Sequence, residues 1–172
     1  MTDYNIEITN EYPDWDVDIE QIRQIAIEII EQFSSCGQIS ANWCLNGYEY
    51  KTLSFGILFC DGIQTRQINH DYRGRDYPAD IITFALFADS DEDERFIPEF
   101  EINLGEIIIA LDKVSDSAAE KNIDKNIELK FLISHGIMHL LGFDHQTEEE
   151  FEFVIKQQKQ ALERMGIKYD KI

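Results

Sequence analysis

Positions 135 to 145 read His-Gly-Ile-Met-His-Leu-Leu-Gly-Phe-Asp-His, which puts three of the chain's four histidines within eleven residues. Residues four apart on an α-helix stand one turn apart on the same face, so His135 and His139 can reach one ion. Gly142 falls three residues later, where a left-handed residue can end a helix and reverse the chain. His145 can then fold back as a third nitrogen donor. Three protein donors with a fourth position open is the arrangement of catalytic rather than structural zinc. Neutral imidazoles suit Zn²⁺ best, while Ni²⁺, Cu²⁺ or Co²⁺ can occupy such a site in vitro. A lone histidine on an apolar helix is more often a satisfied core residue than a ligand. Three at ligand spacing would need several buried hydrogen-bond partners that the neighbouring sequence does not obviously supply. The spacing therefore predicts one metal ion per chain, held by His135, His139 and His145.

HxxxHxxGxxH is also the spacing of the metzincin proteases, with one change. Their first histidine is followed by a glutamate that acts as general base; here that residue is Gly136. A glycine cannot accept a proton, so peptide hydrolysis by that route is disfavoured. Ser134, next to the first histidine, has no partner pattern for a nucleophile and reads as helix packing. Asp144 reads equally as a turn residue or as an acceptor that orients a ligand imidazole.

The elements around this cluster follow from hydrophobic periodicity. Leu129, Phe131, Leu132, Ile133, Ile137, Met138, Leu140 and Leu141 cover nearly every side of a helix from about Asn126, the mark of a buried helix. Thr147 and Glu150 predict a capping box for a last helix. Its stripe is Phe151, Val154, Ile155, Gln158, Leu162 and Met165, with Gly166 closing it. Strands are predicted over Tyr4–Thr9, Leu53–Cys60, Asp80–Ala88 and Gly105–Leu111, enough for a sheet of about four. A helix capped by Asp18 carries Ile19, Ile22, Ala26, Ile29, Ile30 and Phe33, and a short helix covers Ile63–Asn69. Residues 70–80 read as a loop punctuated by Gly74 and Pro78, with His70 on its surface or in a substrate cleft. The acidic segment Asp89–Glu94 reads as a solvated excursion. The whole is expected to form one domain, 1–172.

A net charge of −19 repels nucleic acid and anionic membranes at long range. Any polyanionic substrate must then be met by a local positive patch, by the metal, or through a partner protein. Arg66, Arg73 and Arg75 supply such a patch, concentrating three of the fifteen positive charges within ten residues. The competing reading pairs these arginines with Asp71, Asp76 and Asp80. Cys36, Cys44 and Cys60 form no CxxC pair and read as free, reduced thiols. The first twenty residues hold neither a basic residue nor an apolar core, and no apolar run reaches membrane-spanning length. A soluble, cytoplasmic protein is expected.

Together, these motifs resemble the YbeY family of zinc-dependent endoribonucleases linked to rRNA maturation. His135 to His145 is similar to its H-G-x-x-H-L-x-G-x-D-H signature. Asn69 to Asp80 is similar to its N-x-x-Y-R-x-x-D-x-P-T-D segment, and Leu104-Gly105-Glu106-Ile107 to its L-G-D-I. Ala79, Thr83, Ala85 and Glu106 depart from the family's threonine, serine, proline and aspartate. The resemblance implies an α+β fold with helices against a mixed, mostly antiparallel sheet and a zincin-like metal site. It also implies an endoribonuclease acting on the 3′ end of 16S rRNA with the small ribosomal subunit or assembly factors as partners. Arg73 matches the family's functional arginine, so Arg73 and His135 are the expected catalytic residues. Two alternatives stay open: a hydrolase of another substrate on the same metal, and a non-catalytic, metal-bound assembly factor, which the acidic surface favours.

Overall fold

The computed structural model describes residues 1–170; the last two residues of the expected domain, 171–172, lie outside the described residues. The chain runs through β1 (Asp3–Asn10), α1 (Ile19–Ser35), α2 (Gly37–Ser40), β2 (Thr52–Cys60), α3 (Gly62–Arg73) and β3 (Ile81–Phe84). It continues through β4 (Glu101–Ala110), α4 (Leu111–Lys121), α5 (Lys125–Leu140) and α6 (Glu148–Arg164). The strands form one sheet in the order β1-β2-β4-β3.

The α+β class and the mixed four-stranded sheet are as expected, but the sheet is not mostly antiparallel. β1 pairs parallel with β2, and β2 parallel with β4; only β3 pairs antiparallel, with β4. The cause is the connection between strands. A helical crossover returns the chain to the end where it started, so strands joined through it run the same way, as β1 and β2 do through α1.

α5 is the centre of the core. Leu129, Ile133, Ile137, Met138 and Leu140 are all essentially inaccessible, because β3 and β4 cover one side of the helix while α1, α4 and α6 cover the others. Asp124 caps its start through the Asn126 N–H. A smaller apolar cluster of Cys60, Ala79, Ile82 and Ile108, with Ile68 of α3 against it, covers part of the opposite sheet face.

Several boundaries differ from expectation: the strand expected over Asp80–Ala88 ends at Phe84, where the chain turns, and the one expected from Gly105 already begins at Glu101. α3 continues through His70, Asp71, Tyr72 and Arg73, so only 74–80 is loop; the helix ends at Gly74, whose φ of 64° takes the left-handed conformation. The apolar run expected as a strand to Leu111 divides at Ala110, where α4 begins. With only Leu111, Val114 and Ala118 buried, α4 has too narrow a stripe to stand out from sequence. Gly105 lies at the bulge between β2 and β4 with φ 127°, and a Cβ there would stand 1.9 Å from the Phe84 carbonyl oxygen. Only glycine fits.

Candidate functional site

The three histidines converge. His135 and His139 occupy successive turns of α5. Beyond the helix, Gly142 N–H bonds to the His139 carbonyl at 3.0 Å and Phe143 N–H to the Met138 carbonyl at 3.1 Å. With Gly142 at φ 99°, this is a Schellman termination. It turns the chain so that His145 faces the helix it has just left. One ligand atom from each ring lies within 4.8 Å of the other two, and the Nε2 atoms of His135 and His139 are 3.0 Å apart. Tetrahedral zinc with nitrogen ligands at ~2.0–2.1 Å separates them by roughly 3.3 Å. The donor set therefore fits a metal ion, and these three residues could hold one.

The electrostatics agree with that chemistry. Burial, then the imidazoles of His135 and His145, push His139 down to about 4, against the Asp144 carboxylate and the Phe143 backbone. Burial likewise lowers His135, opposed by its hydrogen bond to Gln158. Both rings are neutral at neutral pH, as ligation requires. Cys44 packs near this turn, its N–H bonded to the Leu141 carbonyl at 2.9 Å, but burial raises its thiol to about 11. It is not a thiolate ligand. All three cysteines are unpaired.

The rings line a cleft of about 590 Å³ whose opposite wall carries Arg73, Arg75 and Tyr77. This wall hangs from α3: Asn69 Nδ2 donates to the Tyr77 carbonyl at 3.0 Å, and Thr65 Oγ1 to the Ala79 carbonyl at 2.7 Å. The floor is the inward side of β3, Ile81 and Thr83, followed by Ala85. Past β3, Arg95 clamps the chain by donating to the Phe87 and Ala88 carbonyls at 2.9 and 3.1 Å, which fixes Asp89 at the rim.

The expected arginine patch is smaller than its sequence suggests. Arg66 is bound through two atoms to Asp76, at 2.7 and 3.1 Å, and does not line the cleft. Among the described residues, neither Arg73 nor Arg75 makes an ion pair. His70 lies on the surface of α3 with Nδ1 3.3 Å from Asp71. Asp144 is a turn residue: its carboxylate accepts from the His145 N–H and from Gln146 Nε2, both at 2.8 Å. The acceptor that does face a ligand ring is Gln158, whose Oε1 lies 2.9 Å from His135 Nδ1. Two carboxylates that the sequence pattern did not assign to the site, Asp80 and Asp89, also line the cleft.

Gly136 answers a packing demand. A Cβ there would meet Ile107 side-chain atoms at 2.9 Å, because α5 lies directly on β4. The position faces the sheet. Gly136→Ala is expected to destabilise the protein by about 1–3 kcal/mol despite alanine's better helix propensity, since Ile107 must move in a full core. Thermal unfolding checks this, and an unchanged or higher Tm would refute it.

Three converging imidazoles at a helix end, opposite arginines free of ion pairs, define an α+β protein with a cleft that could hold a metal ion. The chain belongs to the YbeY family: the family model described as Endoribonuclease YbeY matches residues 7–166. A protein of Geobacillus sp. (strain WCH70) named Endoribonuclease YbeY is 46% identical over 114 residues, 65% of this chain and 72% of its own. The Bacillus licheniformis protein of the same name is 43% identical over 112 residues, 64% of this chain and 71% of its own. The solution structure of TM1509 from Thermotoga maritima superimposes with a TM-score of 0.55, covering 94% of this chain and 92% of that one. At 22% identity this last likeness concerns the fold alone. No helix among the described residues is long and apolar enough to cross a membrane.

Proposed function

We propose that this chain is a zinc-dependent endoribonuclease that cleaves single-stranded RNA, with the 3′ end of 16S rRNA in the maturing small subunit as its substrate. The single observation that carries the reading is the sharing of one cleft by His135, His139 and His145 and by Arg73 and Arg75, free of ion pairs. The family match and the endoribonuclease activity its relatives are named for support it. Zinc held by the three imidazoles would supply Lewis-acid activation of a water or a phosphoryl oxygen.

The chain's own residues do the rest. Arg73 offers planar, paired donors to a phosphate and opposes the charge that grows on it. Arg75 adds a second cation on the same wall. Asp80 and Asp89 give the cleft carboxylates that can take up a proton, which supplies the base that Gly136 denies at the metzincin position. A polyanion reaches this cleft against a chain charge of −19, so binding is local and salt-sensitive. The protein acts as one domain in the cytoplasm. The test is cleavage of a single-stranded oligoribonucleotide against the same sequence in duplex, with metal content measured on the same sample. Preferential cutting of the single strand by zinc-loaded protein is expected; equal cutting of both, or none by the loaded protein, would overturn the proposal.

A further inference from the structure

Gln158 is fully buried on α6, a long polar side chain on the face of that helix that enters the core. Its Nε2 donates to the Phe131 carbonyl at 3.0 Å and to the Ser134 hydroxyl at 2.9 Å. The Ser134 hydroxyl in turn donates to the same Phe131 carbonyl at 2.6 Å. These contacts leave the amide one orientation. A carbonyl oxygen can only accept, so the group facing Phe131 must be the NH₂; the other end, 2.9 Å from His135 Nδ1, must be the oxygen.

We infer that Gln158 is a positioning residue that holds His135 as the Nδ1–H tautomer and aims its bare Nε2 at the other two imidazoles. An acceptor-only oxygen opposite Nδ1 requires a proton there. A neutral ring has only one, so Nε2 keeps its lone pair. That lone pair points to His139, whose Nε2 is 3.0 Å away. Without the lock, the ring could carry its proton on either nitrogen and rotate, and every metal-binding event would first have to select the competent form. Outer partners of this kind are worth ~10–100-fold in metal affinity. Ser134 thus belongs to the site through Gln158, holding the amide in place.

The inference rests on the metal reading, and its test separates the two. Long-range ¹H–¹⁵N correlation on the imidazoles of the metal-free wild type should show His135 protonated at Nδ1; protonation at Nε2 there would overturn the inference regardless of any metal result. In Gln158→Leu the His135 signals should shift toward a mixture of tautomers. Its zinc dissociation constant, measured against a competing chelator, should rise ~10–100-fold. Gln158→Leu that unfolds cooperatively and binds zinc within twofold of wild type would also overturn it. A wild type that takes up no zinc overturns the metal reading, while the metal-free spectrum still decides the role of Gln158.

Discussion

His139→Ala protein is expected to bind no zinc at micromolar concentration and to cleave RNA at least ~10³-fold more slowly than wild type, and chelator-treated wild type should behave the same until zinc is restored. His139 is the middle donor, within reach of both others, and its loss leaves two imidazoles, fewer than the three protein donors typical of a catalytic zinc site. The size follows from the work the ion would do. An ion held there would lower the pKa of a bound water to about 7, which would account for most of the nucleophile available at neutral pH. His139 is half-buried and its ring is neutral, so removing it deletes no buried charge and the fold should persist. Circular dichroism and cooperative unfolding check that point. Undiminished cleavage in metal-free protein would remove zinc from the mechanism.

Arg73→Glu should lower kcat for RNA cleavage by ~10²–10³-fold with zinc content unchanged. A donor aimed at charge that develops in the transition state has that worth, and the new carboxylate adds repulsion. Arg73→Lys should fall between, because an ammonium retains the charge and loses the paired geometry. The substitution should leave the three-histidine cluster untouched, since Arg73 sits on α3 and the histidines on and after α5. Its effect on stability should stay within about 1 kcal/mol, the worth of an exposed cation in the last turn of a helix. Arg66→Glu is the control: that guanidinium is engaged by Asp76 outside the cleft, so kcat should change less than about threefold, within the modest worth of an exposed ion pair. Equal losses for Arg66 and Arg73 would argue for diffuse attraction of RNA and against a placed arginine.

The histidine cluster was legible because its signal is local. Four-residue spacing, a glycine stop and a return of three residues are all written within eleven positions. The Thr147–Glu150 capping box was legible for the same reason, and the structure shows both of its hydrogen bonds. What stayed hidden depends on contacts between distant segments. Arg66 and Asp76 pair only because the turn at Gly74 brings the loop back along α3. The parallel course of β1, β2 and β4 is a property of the crossovers, which leave no mark in strand periodicity. Gln158 is the instructive middle case. It stands within the apolar stripe expected of α6, and a polar residue at a core position must find a partner. That signal was present, but its partner, 23 residues away, was not named by it.

The three imidazoles are unequally enclosed: His135 and His139 are half-buried, while His145 is exposed on the turn after Gly142. Two of these imidazoles therefore stand on a helix packed into the core, and the third on a four-residue turn, Gly142 to His145, open to solvent. The two kinds of position carry different risks: a substitution on α5 should disturb the core and the cluster together, whereas one in the turn should displace His145 and leave the core packing of α5 intact.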